Sequence, residues 1–318
     1  MNSDAPRVSV IMIFRDAAPY IAEAIESVLS QTFTQWELIL VDDAATDGSS
    51  KIAKNYARRY PDRIRYTHHQ HRENRGMSTS RNLGIRESCG SLIAFLDADD
   101  FYLPEKLQRQ VTLIDAHPTA AMVYGATTHW YSWTGTQEVV QRDFKRKLGV
   151  IPNSLIPHPE MVRLFLSHAA WPPGTCGVLV RRSAVDSVGQ FESRFKGMFE
   201  DQAFFYKLCL FHPVFVEDGS WDLYRQHSKS WTESMRKSGQ WRPGRHEKNP
   251  AKEDFLRWLQ TYIDEHGIDD GDVRRLLREA LRPYQHPLLY AFVARCRRLL
   301  RPVVVAIRQG VRSVPERR

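Results

Sequence analysis

At 318 residues, with 42% hydrophobic and 26% charged side chains, the chain has the make-up of a folded domain, which excludes a disordered or fibrous polymer. Its four cysteines, Cys89, Cys176, Cys209 and Cys296, stand far apart without a C-x-x-C pair, which argues against a zinc site or a disulfide scaffold and points to a reducing compartment. The formal charge of +8 is concentrated in residues 281–318, which hold nine arginines and one acid, Glu316, leaving a neutral body of 36 basic and 36 acidic side chains. A generally basic surface of the kind that coats nucleic acid is thereby excluded.

Arg7–Phe14 is a β-branched run that predicts a first buried strand. Ile21, Ala24, Ile25, Val28 and Leu29 follow the i, i+3, i+4, i+7, i+8 spacing of one apolar helix face. Trp36–Val41 predicts a second strand ending on Asp42 and Asp43, and the Thr46-Asp-Gly-Ser-Ser turn leads to a helix closed before Pro61. Ile64–Tyr66 predicts a third strand, residues 77–88 a helix, and Leu92–Leu96 a strand buried on both faces. That strand stops in Asp97, Ala98, Asp99 and Asp100. Leu103, Leu107, Val111 and Ile114 mark the next helix, with Asp100 available as its cap and Pro104 as its first-turn proline. Farther on, Ala121–Gly125, Trp130–Trp133 and Val178–Arg181 predict strands, Pro159–Ser167 and Asp201–Phe211 helices, and residues 251–282 polar helices.

Strands alternating with helices of this length predict right-handed β-α-β units around a mostly parallel sheet, whose ligands bind beyond the carboxyl ends of the strands. Two of those ends carry the aspartates, at 42–43 and 97–100. Carboxylates this close repel one another unless a cation sits among them, and carboxylate oxygens are the ligands that Mg²⁺ and Mn²⁺ prefer, with phosphates completing the sphere. His68, His69 and His71 are spaced too irregularly for a metal template and predict a solvated loop.

The sequence resembles family 2 glycosyltransferases in Val8-Ser-Val-Ile-Met-Ile, Ala24–Phe33, Trp36–Asp43, Thr46-Asp-Gly48, Ser80–Ile85, Phe95–Asp100 and Phe199-Glu-Asp201, in family order over roughly residues 7–227. The resemblance implies an α/β fold of the GT-A type with a C-terminal helical extension, an inverting mechanism and a divalent cofactor, Mn²⁺ or Mg²⁺. It implies a nucleotide-diphospho-sugar donor, most simply uridine-linked, and a glycan, lipid-linked or other hydroxyl acceptor. Carried over by position, Asp43 accepts a hydrogen bond from the base, Asp97 lies near the ribose, Arg81 approaches the diphosphate, Asp99 and His227 hold the metal, and Asp201 is the general base. At the first strand's end the family's Pro-x-Tyr-Asn is replaced by Ile13-Phe14-Arg15-Asp16; Ile13 and Arg15 fall beside the nucleotide, and a guanidinium can stack on a base in place of the lost aromatic. Each position has a plainer use: Asp43 as a turn cap, Arg81 as a surface arginine, Glu200 and Asp201 as helix-start acids, His227 as a core or surface histidine.

The resemblance divides the chain into a nucleotide-sugar segment, 1–115, an acceptor and base segment, 116–240, where Trp130, Tyr131, Trp133, Trp171 and Trp221 could stack on sugars, and a helical extension, 241–318. In the extension Leu289, Phe292, Cys296, Leu299, Leu300, Val303 and Ile307 share one helical face, and Arg297, Arg298, Arg301, Arg308 and Arg312 the other. Residues 287–312 thus suit an anionic membrane surface, or else a helix packed on the body. The N-terminus lacks signal-peptide order and no apolar run is long enough to span a bilayer, so the expected location is cytoplasmic, peripheral on the inner face of the membrane. Two rival classes are a nucleotidyltransferase, whose Gly-rich phosphate loop is not evident after Phe14, and a non-catalytic adaptor, which would explain the cationic tail but not the strand-end aspartates.

Overall fold

The computed structural model describes residues 5–135, 142–239 and 249–286. It divides into two compact units, Met1–Ser234 and Met235–Arg318. In the first unit, β1 (Val8–Phe14), α1 (Ile21–Leu29), β2 (Trp36–Asp42), α2 (Ser49–Arg59), β3 (Ile64–His68), α3 (Met77–Glu87) and β4 (Leu92–Asp97) form the predicted alternation. Then come β5 (Phe101–Tyr102), α4 (Lys106–Ala116), β6 (Met122–Tyr124), β7 (Thr128–Trp130), β8 (Phe144–Lys145), β9 (Ser154–Ile156), α5 (Glu160–Leu166), β10 (Val178–Arg181), α6 (Arg182–Val188), α7 (Glu200–Phe211), β11 (Val214–Val216) and β12 (Asp222–Arg225), with α8 (Trp231–Lys237) at the boundary of the units.

Among the described residues the main sheet has eight strands in the order β3-β2-β1-β4-β10-β6-β11-β9. The β1–β4 half is parallel, whereas β10 runs antiparallel to both β4 and β6 and β9 antiparallel to β11. All of β1 and β2 is buried, as strands covered on both faces must be. Val8, Val10, Met12 and Phe14 point to one face of β1, where they share a core with Ile21, Ala24, Ile25 and Val28 of α1. Burying each such side chain contributes about 1.5–3 kcal/mol. On the other face Ile11 meets α3 so closely that a Cβ added to Gly84 would collide with its Cγ2.

The chain winds from β1 to β3 on one side of β1 and returns to β4 on the other, so the strand order reverses between β1 and β4. Ligands of open α/β sheets bind at such a reversal. The register pairs Phe14 with Asp42 and Ile13 with Asp97, which brings the predicted site residues level at one edge. A smaller sheet, ordered β5-β12-β7-β8, carries the segment leading to His227.

Two local expectations are corrected. Helix α4 starts at Lys106 with Glu105 in the cap position, so Asp100 caps nothing and Pro104 precedes the helix; β5 intervenes, and Asp100 is drawn inward by the hydrogen bonds described below. The expected strand Trp130–Trp133 ends at Trp130 and turns into a 3-10 helix at Ser132–Thr134, because the Asp143 carboxylate accepts the backbone N–H groups of Tyr131 (2.6 Å) and Ser132 (2.9 Å).

In the second unit, α9 (Pro250–Glu265) and α10 (Gly271–Gln285) pack on one another. Asn249 caps α9 through the N–H groups of Ala251 and Lys252, with Pro250 in the first turn, and Asp270 caps α10 through Val273. No helix among the described residues is long and apolar enough to cross a membrane. The basic amphipathic segment 287–312 lies outside the described residues.

Candidate active site

The loops after β1 and β2 are stitched together. Thr46 N–H donates to Asp16 (2.6 Å), Ala18 N–H to Asp47 (2.8 Å), and Asp43 N–H to the Phe14 carbonyl (2.9 Å). Asp43 does not cap the turn toward Gly48; Asp47 does, through Ser49 N–H. The buried Asp43 carboxylate instead accepts the N–H groups of Arg75 (2.7 Å) and Gly76 (3.1 Å), fixing the loop before α3. Ile13 is buried at the end of β1, and the Arg15 side chain is 54% exposed, 3.9 Å from Asp16.

The histidine-rich loop is not wholly solvated. His68 and His71 are exposed, but His69 is buried, with Nε2 2.8 Å from Ser80 Oγ and 3.8 Å from Asp43 Oδ1. Burial holds its imidazole pKa below the ordinary value against the pull of Asp43. Only its place beside Asp43 in the fold singles it out from its two neighbours.

Arg81 is no surface arginine. It is 2% exposed, and its guanidinium bridges Asp97 (2.9 Å) at the end of β4 and Glu200 (3.4 Å) at the start of α7. Burial works against its charge, yet the carboxylates of Asp97 and Glu200 raise its pKa above the usual arginine value. Beside this bridge, burial and the Glu200 charge lift Asp201 from the ordinary 3.8 to about 7, although Arg81 pulls the other way. Asp201 therefore stands where a proton acceptor works best near neutral pH. Two residues after Asp97, Asp99 Oδ2 lies 3.0 Å from His227 Nε2. The His227 side chain is 7% exposed and its Nδ1 has no hydrogen-bond partner among the described residues.

Glycosyl transferase family 2 matches residues 9–189, more than half of the chain. The chain belongs to this family. Similar proteins include the uncharacterized glycosyltransferase YibD of Escherichia coli (strain K12), 32% identical over 173 residues, which cover 54% of this chain and 47% of YibD. The chain thus spans about half the length of that relative, and 41% of another. Among solved structures, S. aureus TarS 1–349 in complex with UDP-GlcNAc superposes with a TM-score of 0.56 at 17% identity, over 86% of this chain and 79% of that one. The mannosyltransferase PcManGT of Pyrobaculum calidifontis, in complex with GDP-Man and Mn²⁺, gives a TM-score of 0.60 at 17% identity, over 97% of this chain and 80% of that one. At such identities the likeness establishes the fold, which is the GT-A architecture. Family membership gives the chain a family 2 glycosyl transferase domain and favours that class over the nucleotidyltransferase and adaptor readings.

Behind the aspartates of this family 2 domain lies a support that the sequence did not reveal. The Cys176 thiol donates to Asp100 Oδ2 (3.2 Å) and accepts Asp97 N–H (3.2 Å), and the side chains of Asp97, Asp100 and Cys176 lie within 4.8 Å of one another. Burial and the nearby aspartates push both the Cys176 thiol and the Asp100 carboxyl well above their usual ranges. A protonated thiol donates a hydrogen bond and is a poor metal ligand. The carboxylates of Asp97 and Asp99 are oxygen donors of the kind Mg²⁺ and Mn²⁺ prefer, and a neutral imidazole such as that of His227 can ligate Mn²⁺. Arg225 was also missed, although it stands two residues before His227; its contacts with two aspartates depend on the pairing of β12 with β5 and β7.

Proposed function

We propose that the chain transfers a sugar from a nucleotide-diphospho-sugar, most simply uridine-linked, to an acceptor hydroxyl with inversion, in glycan or polysaccharide biosynthesis. The observation that carries this reading is the clustering of carboxylates around Asp97: the β1 register sets Asp97 and Asp42, next to Asp43, level with Ile13 and Phe14, Arg81 ties Asp97 to Glu200 beside Asp201, and Asp99 meets His227. TarS and PcManGT, of the same fold, have been captured with UDP-GlcNAc and with GDP-Man and Mn²⁺ respectively, which supports a nucleotide-sugar donor and leaves both bases in play.

In this reading Asp43 accepts the N3–H of a uracil with a lone pair that Arg75 and Gly76 leave free, and a base that presents an acceptor there faces the carboxylate's charge. Arg15 lies against the base and Ile13 floors the pocket. Asp97 receives the ribose, while Arg81, its fork committed to Asp97 and Glu200, offers the diphosphate side its charge from behind Asp97 rather than a bidentate bond. Asp99 and His227 would hold Mn²⁺ or Mg²⁺, whose chemistry when bound is Lewis-acid stabilisation of the charge developing on the leaving diphosphate. Asp201 takes the proton of the acceptor hydroxyl as its oxygen bonds to the anomeric carbon. The bond from that carbon to the diphosphate oxygen breaks on the opposite face, releasing nucleoside diphosphate. Trp130 and Trp133 pack on the buried Arg225, whereas Trp171, with Arg146 at 5.0 Å over its ring, is 51% exposed and is the better aromatic candidate for a sugar ring.

The test is a screen of nucleotide sugars for nucleoside diphosphate release, with Mn²⁺ and with EDTA. Release that requires both a particular donor and the metal is expected; undiminished turnover in EDTA would overturn the metal-dependent reading.

A further inference from the structure

Arg225 lies on β12, two residues before His227, and is 2% exposed. Its Nε donates to the Asp99 carbonyl (2.7 Å), its backbone N–H to Asp100 Oδ1 (2.9 Å), and its Nη2 to Glu23 of α1 (2.6 Å). Aromatic rings occupy the space around the guanidinium: Trp130 at 4.4 Å, Trp133 at 5.0 Å and Tyr20 at 5.3 Å. The same Tyr20 ring sits 4.6 Å from the His227 imidazole.

A buried arginine beside a diphosphate site has two distinct uses. One that binds phosphate keeps its fork aimed at the ligand. Here the fork is committed to a carbonyl and a carboxylate, the charge is balanced by Glu23, and the surrounding rings close it off. We infer that Arg225 is a positioning residue that sets the divalent-metal affinity: it fixes the Asp99 backbone so that Oδ2 faces Nε2 of His227, two residues beyond the end of the same strand. This rests on the reading of Asp99 and His227 as the metal pair. Groups that orient a metal ligand from behind commonly change affinity by about 10–100-fold when lost. The backbone N–H that holds Asp100 survives every substitution but proline, so a side-chain change removes the Asp99, Glu23 and ring contacts and leaves Asp100 held.

The experiment measures Mn²⁺ binding to the full-length protein by electron paramagnetic resonance, and UDP binding in EDTA by calorimetry. Arg225→Met should weaken Mn²⁺ roughly 10–100-fold and leave metal-free UDP affinity at the parental level. Arg225→Lys should also weaken Mn²⁺, because an ammonium lacks the fixed fork that reaches Asp99 and Glu23 together. Glu23→Gln, which leaves the Asp99 contact in place, should stay within about threefold of the parent, well short of that loss. Asp99→Asn is the control on the underlying reading. If it loses Mn²⁺ while folded Arg225→Met binds the ion like the parent, the positioning role is overturned and the metal pair stands. Should Arg225→Met fail to fold, parental Mn²⁺ affinity in Arg225→Lys overturns the role and a loss supports it. A fall in metal-free UDP affinity in either variant would make Arg225 a phosphate ligand instead. Parental Mn²⁺ binding in Asp99→Asn would remove the metal pair itself.

Discussion

Replacing Asp201 by Asn should cost activity and gain stability, and the gain should grow with pH. Burial and Glu200 raise the Asp201 carboxyl from 3.8 to about 7 in the folded chain. At about 1.36 kcal/mol per pH step, ionising it in place costs on the order of 4 kcal/mol more than in the unfolded chain. The figure is a ceiling, since buried carboxylates beside one guanidinium do not act independently. The folded value lies above the unfolded one, so the contribution of Asp201 to stability is complete below about pH 4 and is lost as pH rises through 7. Asn does not titrate. The variant should match the parent in stability near pH 4 and exceed it by up to about 4 kcal/mol at pH 8, measured by urea unfolding at four pH values. In the parent, kcat/KM should fall about tenfold per pH step below 7, and Asp201→Asn should lower it by roughly 10² or more while flattening that limb. A stability gap that does not change with pH, or a parental rate flat from pH 5 to 8, would refute the reasoning.

Asp43→Asn turns an NH₂ group toward the backbone N–H groups of Arg75 and Gly76 and should lower UDP affinity about tenfold while reducing the preference for UDP over CDP; unchanged discrimination by calorimetry would move base recognition elsewhere. Gly84→Val places a branched side chain against Ile11 and should cost about 1–3 kcal/mol in chemical unfolding, with parental stability as the contrary result. Removing residues 287–318 should leave UDP binding intact but weaken co-sedimentation with anionic vesicles, an attraction of about 1 kcal/mol per arginine that fades as salt rises. Equal, salt-independent pelleting of both forms would end the membrane reading, and loss of folding would assign the tail to the core.

The parallel half of the fold was legible because its signals are local. The all-buried runs of β1, β2 and β4 and the apolar stripe of α1 each declare themselves within a dozen residues, and the strand-end aspartates follow from them. The expected Asp100 cap failed because Asp100 answers to Cys176 and Arg225, 76 and 125 residues away, rather than to its neighbours. His69 misled for the same reason: spacing along the chain says nothing of a partner such as Asp43 on the adjacent strand end. Arg81 was placed beside the donor by resemblance, but its double carboxylate lock became visible only when Glu200 was brought across from α7. Pairings made by the fold, not by the segment, are what the sequence leaves out.

The central claim is a single displacement assisted by Asp201, and the anomeric configuration of the product tests it most directly. With the donor found in the screen, proton NMR of the first turnovers should show an α-linked nucleotide sugar yielding a β-linked product, and Asp201→Asn should form the same anomer more slowly. A product that keeps the donor's configuration would contradict the account, because one displacement at the anomeric carbon cannot retain it.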